Sequence, residues 1–210
     1  MLRTQHNPLN PRLPQAGDML FKPARASACC LQTDPGGYRR FSQHSEPSGA
    51  THLYKHGYKL AADMLCRKAL DEYPVHTLIF PIVFLYRHYI ELSLKEVVLD
   101  ASRFITDVSP TDPKHDLGTL WENARGILPV VWPGAQPAQI DAVEACITEI
   151  SEHDPRAMAF RYPLDTKGNP HLEKLDSIDL QNLMEVMDRI GNFLDCLGEA
   201  TAQQLEYRSG

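Results

Sequence analysis

The sequence contains no glycine-rich phosphate loop, no His-Glu-x-x-His, no Cys-x-x-Cys and no Gly-x-Ser-x-Gly. These gaps exclude the common P-loop nucleotide sites, zincin-type metal centres, thioredoxin-like chemistry and nucleophile-elbow hydrolases. Long uncharged apolar runs are missing as well. The best candidate, FPIVFLYRHYIELSL, is interrupted by Arg87 and His88 and falls short of the ~18 apolar residues of a membrane span. The first 20 residues are too polar and proline-rich for a secretory signal. The five cysteines (Cys29, Cys30, Cys66, Cys146, Cys196) make no short-spaced metal pattern. Their odd number predicts a cytoplasmic protein whose free thiols are mostly buried as small hydrophobes. A basic surplus is also lacking: the net charge is -6, and outside residues 1–50 there are 15 bases against 24 acids. Such a body argues against a broad double-stranded DNA surface, which needs clustered cations to displace counterions. A small basic cleft remains compatible with it.

What is present reads as helix. At 210 residues the chain suits one domain with a sizeable core. Residues 1–50 form an expected disordered tail: prolines recur from Pro8 to Pro47, and Asp34-Pro35-Gly36-Gly37 is a turn signal. The helical domain is expected over 51–199, with a flexible tail over 200–210. Its first helix starts near Thr51, with Leu53, Tyr54, Tyr58, Ala61, Leu65 and Leu70 on its apolar side, and stops at Pro74. A second, central helix begins between Thr77 and Pro81 and runs to about Ile105. A short third helix follows His115-Asp116, and PVVWPGAQP is read as irregular. A fourth runs from Pro137 to about Asp154. The last, from about Ser177 to Glu199, carries Leu183, Met187, Ile190, Phe193, Leu194 and Leu197 at three-four spacing. The expected fold is all-α, a bundle of four long helices and one short one.

The second helix sets the functional question. Arg87, Glu91 and Lys95 recur at i, i+4 and i+8, and His88 sits about 100° around from Arg87. Two readings stand. One is a bundle-stabilising ion network with Glu91 as a structural member. The other is a ligand or RNA site lined by Arg87, His88 and Lys95. Asp116 is expected to cap the third helix, with His115 hydrogen-bonded nearby. In Phe160-Arg161-Tyr162-Pro163, an arginine between aromatics suits stacking on a base or holding a phosphate, or else latching the loop to an acid. Trp121 and Trp132 are read as core or lid residues. His52 and His56 lie one turn apart but lack a third metal ligand. Glu144, Glu149, Glu152 and Asp154 lack the Glu-x-x-His repeat of a di-iron bundle. No metal and no cofactor are expected.

YRHYIELSLKEVV followed by KHDLGTLW resembles the HEPN superfamily of bacterial helical domains, and the AFRYPLDTKG loop is similar to one in uncharacterised members of that group. The resemblance covers about Thr51 to Glu199. It implies a four- or five-helix bundle, a homodimer, and metal-independent RNA cleavage in a defence or toxin–antitoxin setting, with an antitoxin or other protein as partner. The family's ribonuclease signature, an arginine, four to six intervening residues and then a histidine at the start of a late helix, has no counterpart where it should occur. Arg161 reaches its next histidine only at His171, and Arg39-x4-His44 fits the spacing only in the proline-rich tail. A catalytic set would therefore draw on His88, Arg87 and His115, with Arg161, Lys95 and Tyr162 binding RNA or another ligand. Acid–base transfer by histidine and charge stabilisation by arginine would suffice without metal. The alternative is a non-catalytic structural or protein-interaction domain.

Overall fold

A computed structural model of the chain describes residues 32–33, 39–40, 47–71, 76–108, 115–173, 175 and 177–209. It divides into two units, Met1–Glu46 and Pro47–Gly210. In the first, β1 (Gln32–Thr33) pairs antiparallel with β2 (Arg39–Arg40). The rest of the expected disordered segment before residue 47 lies outside the described residues.

The second unit is an all-α bundle of α1 (Pro47–Asp71), α2 (Ile79–Ala101), α3 (Leu117–Val131), α4 (Pro137–His153) and α5 (Leu180–Ser209). A 3-10 turn, His76–Leu78, leads into α2. α2 is central, packing on α1, α3 and α5, while α4 joins the bundle through α3. The core is built from Tyr86, Tyr89, Ile90 and Leu94 of α2, Leu120, Trp121 and Ile127 of α3, and Ile190, Phe193 and Leu194 of α5. Trp121 and Trp132 both meet Phe193, at ring-centroid distances of 6.2 and 5.3 Å. A smaller apolar cluster, Val83, Ala159 and Phe160, lies where α2 meets the loop after α4.

Several boundaries move. α1 already includes residues 47–50, because a proline in the first turn gives up only an N–H that would have no helical partner. α2 ends at Ala101, where Phe104 N bonds Ala101 O and the chain tightens into a turn. α3 passes through Pro129, and the Trp132 N to Leu128 O bond of 2.8 Å closes its last turn. The expected tail over 200–210 is corrected: α5 continues to Ser209. Thr201 is fully buried there, and Arg208 lies over the Phe104 ring at 5.1 Å. Asp179 starts α5, accepting from Asn182 N at 3.0 Å.

The apolar side assigned to α1 also needs correction. Leu53, Tyr54 and Leu70 are exposed, and the buried positions are Lys55, Ala62, Asp63 and Cys66. Lys55 Nζ meets Glu96 at 2.6 Å, Lys59 meets Asp63 at 3.0 Å and Asp188 at 2.7 Å, and the Tyr86 hydroxyl donates to Asp63 at 2.7 Å. Opposite charges on α2 and α5 thus draw a polar stripe inward. Leu99, near the end of α2, is exposed. Of the described cysteines only Cys66 is buried; Cys146 is half-buried and Cys196 exposed.

Candidate functional site

The i, i+4 register of α2 stacks Arg87, Glu91 and Lys95 on one face, and two loops close over that face. Arg87 is 1% exposed, and each of its nitrogens has a partner. Nη1 donates to Glu91 Oε2 at 2.9 Å and Nη2 donates to the His115 carbonyl at 2.6 Å. Nε donates to the Asp154 carbonyl at 3.3 Å. It also lies 3.2 Å from Asp154 Oδ2, an ion pair without hydrogen-bond alignment. Asp154, the C-cap of α4, spends Oδ1 on Met158 N at 2.7 Å and Ala159 N at 2.9 Å. That turn, with Ala157 in the left-handed region at φ 58°, directs Phe160 inward and leaves Arg161 and Tyr162 outside. One planar guanidinium therefore fastens both the His115 backbone and the 154–159 turn to α2.

Glu91 is equally buried, at 1% exposure. Its Oε1 meets His115 Nδ1 at 2.6 Å and Lys95 Nζ at 3.1 Å, and His88 Nδ1 stands 3.9 Å from Oε2. Burial alone would push the Glu91 carboxyl up. His88, Lys95 and His115 around it outweigh burial and hold it well below the usual carboxylate range. An ionised carboxylate only accepts, so Nδ1 of His115 carries the hydrogen. Neutral His115 then has its lone pair on Nε2, and its side chain is 55% exposed. The backbone at His115 is left-handed, φ 74°, a costly state for a residue with a side chain. Immediately after it, Asp116 caps α3 by accepting from Thr119 N at 3.2 Å.

His88 is about one-quarter exposed and packed among rings. Tyr58 meets it edge-on at 4.5 Å, and Phe84 lies parallel at 5.8 Å. Arg161 sits over Phe84 at 5.7 Å and over Tyr162 at 5.4 Å. A row of ring and cation contacts thus runs from Tyr58 through His88 and Phe84 to Arg161 and Tyr162.

No family model, curated protein or solved structure matches this chain.

The structure brings His88, His115 and Lys95 around one carboxylate and places Arg161 one ring away from His88, with Tyr162 against Arg161. Arg87 lies beneath them, enclosed. His171 donates its backbone N–H to Pro163 O at 3.1 Å, and His44 lies outside the described residues. His52 and His56 touch each other at 4.2 Å; burial, with His52 alongside, pushes His56 down. Among the described residues no group of three His, Cys, Asp or Glu side chains is placed to hold a metal ion. Glu144 instead pairs with Arg125 at 2.7 Å. Two contributors were not recognisable from sequence. In the sequence Asp154 is one of four acids without a di-iron pattern, and Phe84 lies in an apolar run. Only the fold reveals that they meet Arg87 and Arg161.

Proposed function

We propose that this chain is an RNA-directed, HEPN-like helical domain in which His115, oriented by Glu91, performs metal-independent proton transfer. The observation that carries the reading is the His115–Glu91 pair: a half-exposed imidazole held through Nδ1 by a buried carboxylate, on a left-handed backbone. A base fixed by a third group is the arrangement acid–base catalysis requires. His115 Nε2 takes the proton from a ribose 2'-hydroxyl, and O2' attacks the adjacent phosphorus. The P–O5' bond breaks, and His88 in its protonated form returns a proton to O5'. The products are a 2',3'-cyclic phosphate and a 5'-hydroxyl. Lys95 and Arg161 supply positive charge along the phosphate path, while Arg87 positions His115 from below. The HEPN-like motifs support a homodimer and a defence or toxin–antitoxin setting with a protein partner, and the odd, unpatterned cysteines support a cytoplasmic location.

A second reading is favoured by a different observation. All three nitrogens of Arg87 are occupied, and the chain is acidic overall. Those features suit a non-catalytic interaction domain whose ion network serves the bundle.

The test incubates the full chain with labelled single-stranded RNA and tRNA in excess chelator, beside His115→Ala, His88→Ala and Glu91→Gln variants shown to be folded by circular dichroism. The expected result is cleavage to cyclic-phosphate ends by the parent. His115→Ala should lose about 100-fold or more, the usual worth of a general base. No cleavage by the parent sinks the catalytic reading and leaves the interaction domain, whereas undiminished cleavage by His115→Ala removes His115 as the base.

A further inference from the structure

Beyond the histidines, the loop after α4 and the start of α2 enclose a cavity of about 410 Å³ walled by Phe80, Phe160, Arg161, Tyr162, Pro170 and Glu173, among others. Its volume falls within the ~300–1,000 Å³ typical of small-molecule sites. Phe80 and Tyr162 are 49% and 46% exposed, although each buries large apolar area only when covered. We propose that this cavity is a subsite for a single unstacked nucleobase, so that the chain takes single-stranded rather than paired nucleic acid. The inference rests on the RNA-directed reading above and specifies its substrate.

Three features converge on that ligand. The walls are aromatic and proline faces, which suit the flat, π-bearing surface of a base and accept any of the four. Arg161 is already held against two rings, so its guanidinium is pre-oriented at the rim beside a base's phosphate. Glu173 also lines the cavity. It repels phosphate and accepts from exocyclic amines, so the backbone passes on the Arg161 side and the base edge turns toward Glu173. Phe84 links Arg161 to the proton-transfer groups, since Arg161 lies over its ring at 5.7 Å and His88 lies parallel to it at 5.8 Å. A base seated in the cavity therefore sets its neighbouring phosphate on the side of Arg161, which packs on Phe84. A base still stacked in a duplex cannot enter, because its faces are covered by the adjacent pairs.

The experiment measures anisotropy of a short, labelled 2'-O-methyl oligonucleotide bound to the full chain, since the methyl group removes the attacking hydroxyl and isolates binding from cleavage. Phe80→Ala and Tyr162→Ala should each weaken binding by about fivefold to a hundredfold, the range of one lost base–aromatic stack. Tyr162→Phe should bind like the parent, because the ring and not the hydroxyl does the stacking. A fully paired competitor should displace the probe at least about tenfold less well than a single strand. Undiminished binding by the folded alanine variants, equal competition by duplex, or binding only of a proline-rich peptide overturns the subsite. Weakened oligonucleotide binding without any RNA cleavage keeps the subsite and removes the nuclease. Cleavage that ignores Phe80→Ala and Tyr162→Ala does the reverse.

Discussion

Arg87 and Glu91 are ionic groups taken almost wholly out of water, and each is stable there because charged and polar partners surround it. Removing one member leaves the others as uncompensated buried charge, which costs far more than the pair gains. Arg87→Ala should therefore lower stability by about 3–5 kcal/mol, read as a shift in the urea midpoint with an unchanged slope. Arg87→Lys should recover only part of this, because one ammonium cannot reach Glu91, the His115 carbonyl and Asp154 together. The same environment sets an acid dependence. The Glu91 carboxyl is depressed in the fold, so the unfolded chain binds its proton more readily. Its stabilisation is complete above the unfolded value of about 4.3 and drains away as pH falls below it. Urea midpoints recorded from neutral to acid pH should show a steeper fall for the parent than for Glu91→Gln. Parallel curves would mean that Glu91 contributes nothing through its charge.

Among the elements, the seam between α1, α2 and α5 joins charge to close packing. Gly191 of α5 faces Lys59 and the Tyr89 hydroxyl: a Cβ there would lie 2.9 Å from Lys59 Cε and 3.3 Å from that oxygen. Lys59 is not free to swing away, being tied to Asp63 and Asp188. Tyr89 is buried, with its hydroxyl 3.4 Å from the Gly191 carbonyl and 3.3 Å from Asp195. Gly191→Ala should accordingly cost about 1–3 kcal/mol as an overpacking change, despite the gain in helix propensity, and thermal unfolding would read it. A stabilised variant would show that the seam can open. This seam also explains what the sequence concealed in α1. Apolar periodicity locates a buried stripe only where burial is apolar. The α1 stripe is held by Glu96, Asp188 and Asp195, all remote in sequence. α2 and α5 were legible because their inward positions are aliphatic and aromatic at helical spacing.

For the whole molecule, the all-α architecture followed from helical periods, caps and prolines, and the five helices lie near where those signals put them. The candidate site was legible only as residue types. Arg87 and Asp154 are 67 residues apart, and Glu91 and His115 24 apart, so no spacing rule connects them. The end of the fold was also hidden, since residues 200–209 are largely exposed and hold the bundle through a few side chains such as Thr201 and Arg208. Truncation after Glu199 removes buried Thr201 and the Arg208–Phe104 contact. It should lower the melting temperature by at least about 2–4 °C, the equivalent of one kcal/mol in a chain of this size. An unchanged melting curve would make the last turns of α5 dispensable.

The single guanidinium beneath both loops has a consequence for how the molecule responds to perturbation. His115 and the turn after α4 belong to distant parts of the chain, yet each bonds a different nitrogen of the same rigid, planar group. A force that tilts this plane at one loop is felt at the other, so the two are thermodynamically coupled rather than independently adjustable. Sequence change in the 154–162 loop would thus be transmitted to the imidazole it never touches, and evolution would have to vary the two loops in concert.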